Sequence, residues 1–178
     1  MGIGNLEHMF DGIDTANFPT EPPLELLEPK DLIDELTVIL VRRDRDEARA
    51  VQILARVYET RAFERDGYSS PTACSNTACR FIPAKRNAWS RRANALPAMP
   101  LTALAYLSGS ISGAQVDVLI EIRAIAPEQF DQAEGELIGW ALEIPLTGDL
   151  RKKLDYWLSQ VAAEELASDR HHVVSLGT

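Results

Sequence analysis

The sequence has few of the residues that form disulfides or metal sites, and it has no long apolar run. Its 178 residues include two cysteines and three histidines. Two cysteines are too few for a disulfide scaffold, which favours a reducing compartment. No stretch approaches the ~18 consecutive apolar residues that a membrane helix requires. The N-terminal residues lack the basic and apolar regions of a secretory signal. We therefore expect a cytoplasmic protein without a membrane partner.

Motifs for catalysis and cofactor binding are absent as well. The sequence contains no G-x-S-x-G element, no Gly-rich phosphate loop and no dinucleotide fingerprint. Cys74 and Cys79 are five positions apart, so on one continuous helix they would point to opposite sides. His171 and His172 are adjacent and would face opposite sides of a strand. We expect no enzyme, no cofactor and no metal, with both cysteines acting as small apolar residues.

Acidic residues are missing from one long segment. The chain carries a net charge of −9, of which residues 1–40 contribute −8. Between Gly67 and Val116 there is no acid, and five basic residues give that segment a charge of +5. A basic segment in an acidic protein is typical of a local DNA contact, and a solvated helix face is the ordinary alternative.

The spacing of apolar residues predicts an all-α fold, a multi-helix bundle. We expect residues 1–23 to form a flexible acidic arm, because "FPTEPP" favours extended backbone, and residues 24–178 to form a helical domain. Helices are expected to begin at prolines and to present apolar stripes to one core. The prolines expected at helix starts are Pro29, Pro71, Pro83, Pro100 and Pro127.

The start and end of one helix and the position of one strand depend on weaker signals. Asp44 or Asp46 is expected to cap a new helix that ends at Gly67. The β-branched run "HHVVSL" predicts a short β-strand at 171–176, although no partner strand is evident in the chain.

The most informative segment is residues 70–96, where a short helix, a break and a basic helix follow one another. This layout is that of a helix-turn-helix, whose second helix enters the major groove. The predicted DNA-binding residues all lie on the second helix: Lys85, Arg86, Asn87, Arg91 and Arg92. Its apolar face is interrupted by Arg86 and Ser90, which predicts weak packing against the core.

Several segments together resemble the actinobacterial 13E12 repeat family. They are "RDEARAVQILARVYETRAFERDGYSSPTA", "RRANAL", "GSISGAQVDVLIEI", "LDYW" and "SLGT". The resemblance extends from about Leu32 to Thr178. It implies a helical domain of the kind found N-terminal to HNH endonucleases, with a DNA-associated role. It also implies that this chain corresponds to the N-terminal part only, truncated before the nuclease and its metal-binding histidines.

The chain departs from the family pattern within the 70–96 segment. Cys74 and Ser75 stand where the family has Trp and Leu, Arg80 where Gly is usual, and Ile82 where a capping Ser is usual. Two alternatives to a DNA-associated module therefore stay open. One is a structural or interaction domain whose incomplete C-terminal edge pairs with another protein chain, and the other is a truncated remnant without DNA binding. The sequence does not specify an oligomeric state.

Overall fold

The computed structural model describes the backbone of residues 26–175 and the side chains of residues 26–164. All regular structure in this part of the chain is helical, which confirms the predicted all-α, multi-helix fold. The helices are α1 (Pro29–Thr60), α2 (Ala62–Arg65), α3 (Pro71–Thr77), α4 (Pro83–Ala95), α5 (Pro100–Leu107), α6 (Gly113–Ile125), α7 (Pro127–Glu143) and α8 (Thr147–Ser175), with a 3-10 turn at Leu96–Ala98.

The chain divides into two units, Met1–Thr37 and Val38–Thr178, and the boundary falls within α1. The predicted limit of the N-terminal arm, between residues 23 and 24, lies outside the described residues. None of the helices in the described range is long and apolar enough to cross a membrane.

Proline marks the start of five helices, as the sequence predicts. Pro29, Pro71, Pro83, Pro100 and Pro127 each occupy the first position of a helix. Proline is favoured there because its fixed φ suits a helix and its missing N–H would have no partner in the first turn. Serines complete two of the helix starts: Ser70 caps α3, and Ser112 forms a capping box with Gln115 at the start of α6.

The expected helix start at Asp44 or Asp46 is wrong. Helix α1 continues without a break from Pro29 to Thr60. The sequence has no proline or glycine between Lys30 and Asp66 that would interrupt the backbone hydrogen bonds of α1. Helix α1 ends at Thr60, before the expected Gly67, and the next residue, Arg61, has a left-handed φ of 54°.

The expected β-strand at 171–176 is also wrong over the residues that the structure describes. Residues 171–175 continue helix α8, and residue 176 lies beyond the described part of the chain. A strand needs a neighbouring strand to satisfy its backbone groups, and residues 26–175 contain none. The helix satisfies those groups locally.

The core of the second unit is built around α6. Seven of the 13 residues of α6 are buried, and the helix packs against α4, α5, α7 and α8. Apolar residues of the other helices complete this core: Leu54 of α1 and Trp157 of α8 are buried in it. Others pack against it partly buried, among them Tyr58, Trp89, Leu96, Trp140 and Leu158.

Two buried polar side chains complete helix ends within this core. The Gln115 amide donates to the carbonyl of Ala141 at 2.6 Å and to that of Ile144 at 3.2 Å, where α7 ends. Glu134 of α7 accepts hydrogen bonds from the backbone N–H and the hydroxyl of Thr102, both at 2.8 Å, in the first turn of α5. Helix ends leave backbone groups without partners, and these contacts supply them. Gln115 thereby joins α6 to the end of α7, and Glu134 joins α7 to the start of α5.

Candidate nucleic-acid interface

Helices α3 and α4 form the helix, break and helix that the sequence predicts. The Ser70 hydroxyl accepts a hydrogen bond from the Ala73 N–H at 3.1 Å, so α3 begins with a satisfied cap. After α3, the Phe81 N–H donates to the Ser75 carbonyl at 3.2 Å. Arg80, between them, has a left-handed φ of 52°. The connection thus turns sharply at a residue type that rarely adopts this conformation.

Aromatic contacts tie the connection to α4. The rings of Phe81 and Trp89 meet edge to face, with centroids 4.8 Å apart. The Lys85 ammonium lies 4.6 Å from the Trp89 ring centroid and 5.3 Å from that of Phe81. Lys85 is exposed, so its charge reaches solvent while the two rings hold its position.

Three of the predicted DNA-binding residues lie together in the first turns of α4. Lys85 and Asn87 are exposed and Arg86 is half-buried. Arg86 donates to the side-chain oxygen of Asn76 in α3 at 2.8 Å and to that of Asn87 at 3.3 Å. The guanidinium therefore links α3 to α4 through hydrogen bonds to neutral groups, and its charge is not neutralised there.

Ser90, the other residue that interrupts the apolar face of α4, also has a partner. Its hydroxyl shares a 2.8 Å hydrogen bond with the Tyr58 hydroxyl of α1. Arg86 and Ser90, the two polar residues that interrupt the apolar face of α4, thus have hydrogen-bond partners. The partners are Asn76 and Tyr58. The face still buries little, since Arg92 and Ala93 are the buried residues of α4.

The structure corrects the expectation for Arg92. Its exposed fraction is 6%, and the guanidinium points into the protein rather than towards solvent. Nε donates to Oδ1 of Asp117 at 2.9 Å, and Nη2 donates to Oδ2 at 2.8 Å. Nη1 bonds Glu47 and donates to the Tyr106 hydroxyl at 3.2 Å. With its donors engaged and its charge compensated by two carboxylates, Arg92 is not placed to contact a phosphate.

Arg91 occupies an intermediate position. Its side chain is 46% exposed and pairs with Asp117 at 3.1 Å and with Glu121 at 3.9 Å. A phosphate contact by Arg91 would compete with these two carboxylates of α6. The five predicted residues therefore divide into Lys85, Arg86 and Asn87 at the accessible start of α4, and Arg91 and Arg92 at its anchored end.

The buried charged cluster, made of Arg92, Asp117, Glu47 and Tyr106, joins α1, α4, α5 and α6. Burial by itself would raise the pKa of Asp117, but hydrogen bonds and charge from Arg92, assisted by Arg91, lower it below its ordinary value. Burial, followed by the nearby Glu47 carboxylate, raises the pKa of Tyr106, whose hydroxyl donates to Glu47 at 2.9 Å. Asp117 is thus ionised and Tyr106 neutral at pH 7.

Gly113 makes room for this cluster at the start of α6. A Cβ atom at this position would lie 2.7 Å from Cζ of Arg92 and 2.8 Å from Oε1 of Glu47. Any side chain here would therefore displace the guanidinium. The sequence gives little warning of the arrangement, because Glu47, Arg92 and Asp117 are far apart in the chain.

Sequence reasoning also passed over Arg80 as a functional candidate. Arg80 is exposed in the connection between α3 and α4, immediately before the basic helix. The signal that identifies it is its place in the acid-free segment. Its side chain adds a third accessible cation to Lys85 and Arg86.

Cys74 and Cys79, the two cysteines of the chain, are the residues to consider as metal ligands. Among the described residues, no group of three or more histidine, cysteine or acidic side chains is placed to hold a metal ion. Cys79 lies beyond the end of α3, so the two thiols do not diverge as they would on one helix. Cys74 and Cys79 instead line one apolar hollow beside α1. Burial raises the pKa of the Cys74 thiol, with a smaller effect from Cys79, which makes this thiol less reactive.

Comparisons of the chain with protein-family models, with curated proteins and with solved structures found no match.

Proposed function

We propose that this chain is a non-catalytic, DNA-associated helical module of the cytoplasm, in which α3 and α4 act as a helix-turn-helix-like pair. The resemblance to the N-terminal region of HNH-endonuclease-type proteins suggests the same role. In this proposal, the start of α4 approaches double-stranded DNA, as the N-terminal residues of a recognition helix do.

The observation that carries this proposal is the uncompensated basic surface around the α3–α4 connection. Among the residues that the structure describes, Arg80, Lys85 and Arg86 form no ion pair, whereas Arg91 and Arg92 both pair with Asp117. The segment from Gly67 to Val116 contains no acidic residue, so these three cations have no carboxylate from their own part of the chain. An uncompensated cluster of cations at the start of a helix suits the DNA backbone.

The roles of the residues follow from their accessibility. Arg80, Lys85 and Arg86 are assigned to phosphate contacts, which supply affinity without sequence information. Asn87 is assigned to a base edge, because an exposed amide can accept and donate at the same base. Arg91 contributes only where a phosphate displaces Asp117, and Arg92 is assigned to folding.

The test is fluorescence anisotropy of a labelled mixed-sequence duplex with the full 178-residue chain at several salt concentrations. The double variant Lys85→Gln/Arg86→Gln is expected to bind about tenfold more weakly and to reduce the salt slope by about two, because two phosphates are then no longer neutralised. The matched control is Lys152→Gln/Lys153→Gln, which removes the same charge from α8. If both double variants weaken binding equally, net charge and not the start of α4 governs the interaction.

A protein-interaction domain is the second candidate. It is favoured by large apolar side chains that are exposed on the second unit, among them Leu104 and Leu146, each 66% exposed. Exposed large apolar side chains of this kind are candidate contacts for another chain. A protein that binds no DNA at low salt, but elutes from a sizing column at a mass above that of one chain, would support this candidate instead.

A further inference from the structure

An apolar hollow lies between α1 and the α3–α4 pair. Its volume is about 350 Å³, and its lining contains no charged residue. Helix α1 contributes Ile53 and Val57, and the α3–α4 pair contributes Cys74, Cys79, Phe81 and Trp89. Every element of the proposed DNA-binding pair therefore has at least one side chain in the wall of this hollow.

The size of the hollow suits a small molecule. A dry apolar cavity of roughly 150 Å³ is enough to bind benzene. Ligand pockets begin at roughly 300 Å³. The hollow is open to solvent on one side, which allows a ligand with an apolar body and a polar end.

Lys85 supplies the group that would recognise such a polar end. Its ammonium lies within 5.3 Å of the centroids of both aromatic rings that line the hollow. It is exposed, and it forms no ion pair among the described residues. The acid-free segment leaves this ammonium without a competing carboxylate from its own part of the chain. An apolar wall with one unpaired cation beside two of its aromatic rings is complementary to an amphipathic anion.

We propose that the hollow binds a small apolar carboxylate, with its hydrocarbon body against Phe81, Trp89 and Ile53 and its carboxylate on Lys85. The bound molecule contacts α1 on one side and α4 on the other, so it fixes the position of α4. Because the carboxylate occupies Lys85, it excludes a DNA phosphate from the same ammonium. This last consequence, the mutual exclusion of ligand and DNA, rests on the proposed function.

The test uses octanoate as the probe and octanamide as its neutral isostere, followed through the indole N–H signals of the three tryptophans by NMR. Octanoate is expected to change the chemical shift of the Trp89 indole N–H up to a saturating value. The chemical shifts of Trp140 and Trp157 are expected to stay constant. Octanamide is expected to bind about fivefold more weakly, since one exposed ion pair contributes up to about 1 kcal/mol. Lys85→Gln should reduce octanoate binding to the level of octanamide.

A second variant, Cys74→Phe, tests the hollow itself by filling it. This variant is expected to lose the binding of both probes. If the chemical shift of the Trp89 indole N–H does not change at millimolar octanoate, the proposal is overturned. It is also overturned if octanamide binds as tightly as octanoate, or if Lys85→Gln leaves octanoate affinity unchanged. The comparison with octanamide and the Lys85→Gln variant test the proposal even if the Cys74→Phe protein does not fold.

The link to DNA is measured separately by adding octanoate to the anisotropy titration. We expect octanoate to weaken DNA binding by the wild-type chain several-fold and to have no effect on Cys74→Phe. If the chain binds octanoate but no DNA, the proposed function fails while the ligand site stands. If it binds both without competition, the exclusion at Lys85 is wrong.

Discussion

Arg92 and Asp117 form a bidentate ion pair that joins α4 to α6. Nε of the guanidinium lies 2.9 Å from Oδ1, and Nη2 lies 2.8 Å from Oδ2. Glu47 of α1 binds the remaining terminal nitrogen, Nη1. A residue of the basic helix thus anchors that helix to the rest of the protein. Arginine suits this place because its planar fork matches a carboxylate in a way that the lysine ammonium does not.

Replacing Arg92 by alanine is expected to lower the free energy of unfolding by about 3 kcal/mol, because the half-buried Glu47 loses its ion pair and the half-buried Asp117 keeps only Arg91 as a partner. Arg91→Ala is the matched control. It removes the same charge from the neighbouring position and an ion pair with the same Asp117, yet it is expected to cost less than about 1 kcal/mol because the Arg91 side chain is 46% exposed. Urea denaturation of both variants measures the difference. Equal losses would show that the cluster contributes no more than a surface ion pair.

Stability at acid pH is expected to depend on Asp117. Its pKa is lowered in the folded protein from an ordinary value of 3.8, since Arg92 outweighs the effect of burial. A group with a lowered folded pKa stabilises the protein fully above its unfolded pKa, and this contribution is lost as the pH falls through the folded pKa. Urea denaturation between pH 5 and roughly pH 2 should therefore show a steep loss for the wild-type chain and a shallower one for Asp117→Asn. If the stability of the two proteins falls equally with pH, Asp117 has the same pKa in the folded and unfolded states.

Ser75 is buried with 1% exposure, and its hydroxyl has no hydrogen-bond partner among the described residues. Ser75→Ala is expected to raise the free energy of unfolding by about 1 kcal/mol, because it removes an unsatisfied polar group and favours the helix. Ser90→Ala serves as the contrast, since it breaks the hydrogen bond to Tyr58 and should destabilise the protein. Thermal denaturation compares the two. A destabilised Ser75→Ala protein would show that the hydroxyl is satisfied in solution.

Arg80 and Arg61 both have left-handed backbone conformations, with φ of 52° and 54°. Glycine adopts this conformation without steric cost, so Arg80→Gly and Arg61→Gly should each stabilise the fold by up to about 1 kcal/mol. Their effects on DNA should differ. Arg80→Gly removes a cation next to the start of α4 and is expected to weaken binding several-fold, whereas Arg61→Gly should leave it unchanged. Denaturation of the two variants measures the relief of backbone strain, and anisotropy measures the effect of the lost charge on DNA binding. If the two variants bind DNA with equal affinity, Arg80 is not part of the interface.

Local signals in the sequence were sufficient for the five helix starts at proline. Pro71 with Ser70, and Ser112 with Gln115, are helix starts that depend only on neighbouring residues, and the structure places helices there. The strand at 171–176 failed because β-branched composition is a weaker determinant than the presence of a partner strand. The break at Asp44 or Asp46 failed because a capping residue does not end a helix that nothing else interrupts.

The candidate site was predicted less completely, and the reason is long-range contact. Lys85 and Arg92 look alike in the sequence, and their positions on one basic helix gave no reason to treat them differently. Arg92 is buried because Glu47 and Asp117, distant in the chain, converge on it. The apolar hollow likewise depends on α3 ending at Thr77, which brings Cys79 to the same wall as Cys74. Neither feature can be derived from helical periodicity.

The most direct test of the account is anisotropy of a labelled mixed-sequence duplex with the purified wild-type chain at low and at physiological salt. An interface made of Arg80, Lys85 and Arg86 predicts micromolar or tighter binding at low salt, with the logarithm of affinity falling by about three for each tenfold increase in salt. Absence of binding at low salt would contradict the account. The uncompensated cations would then be an ordinary solvated surface.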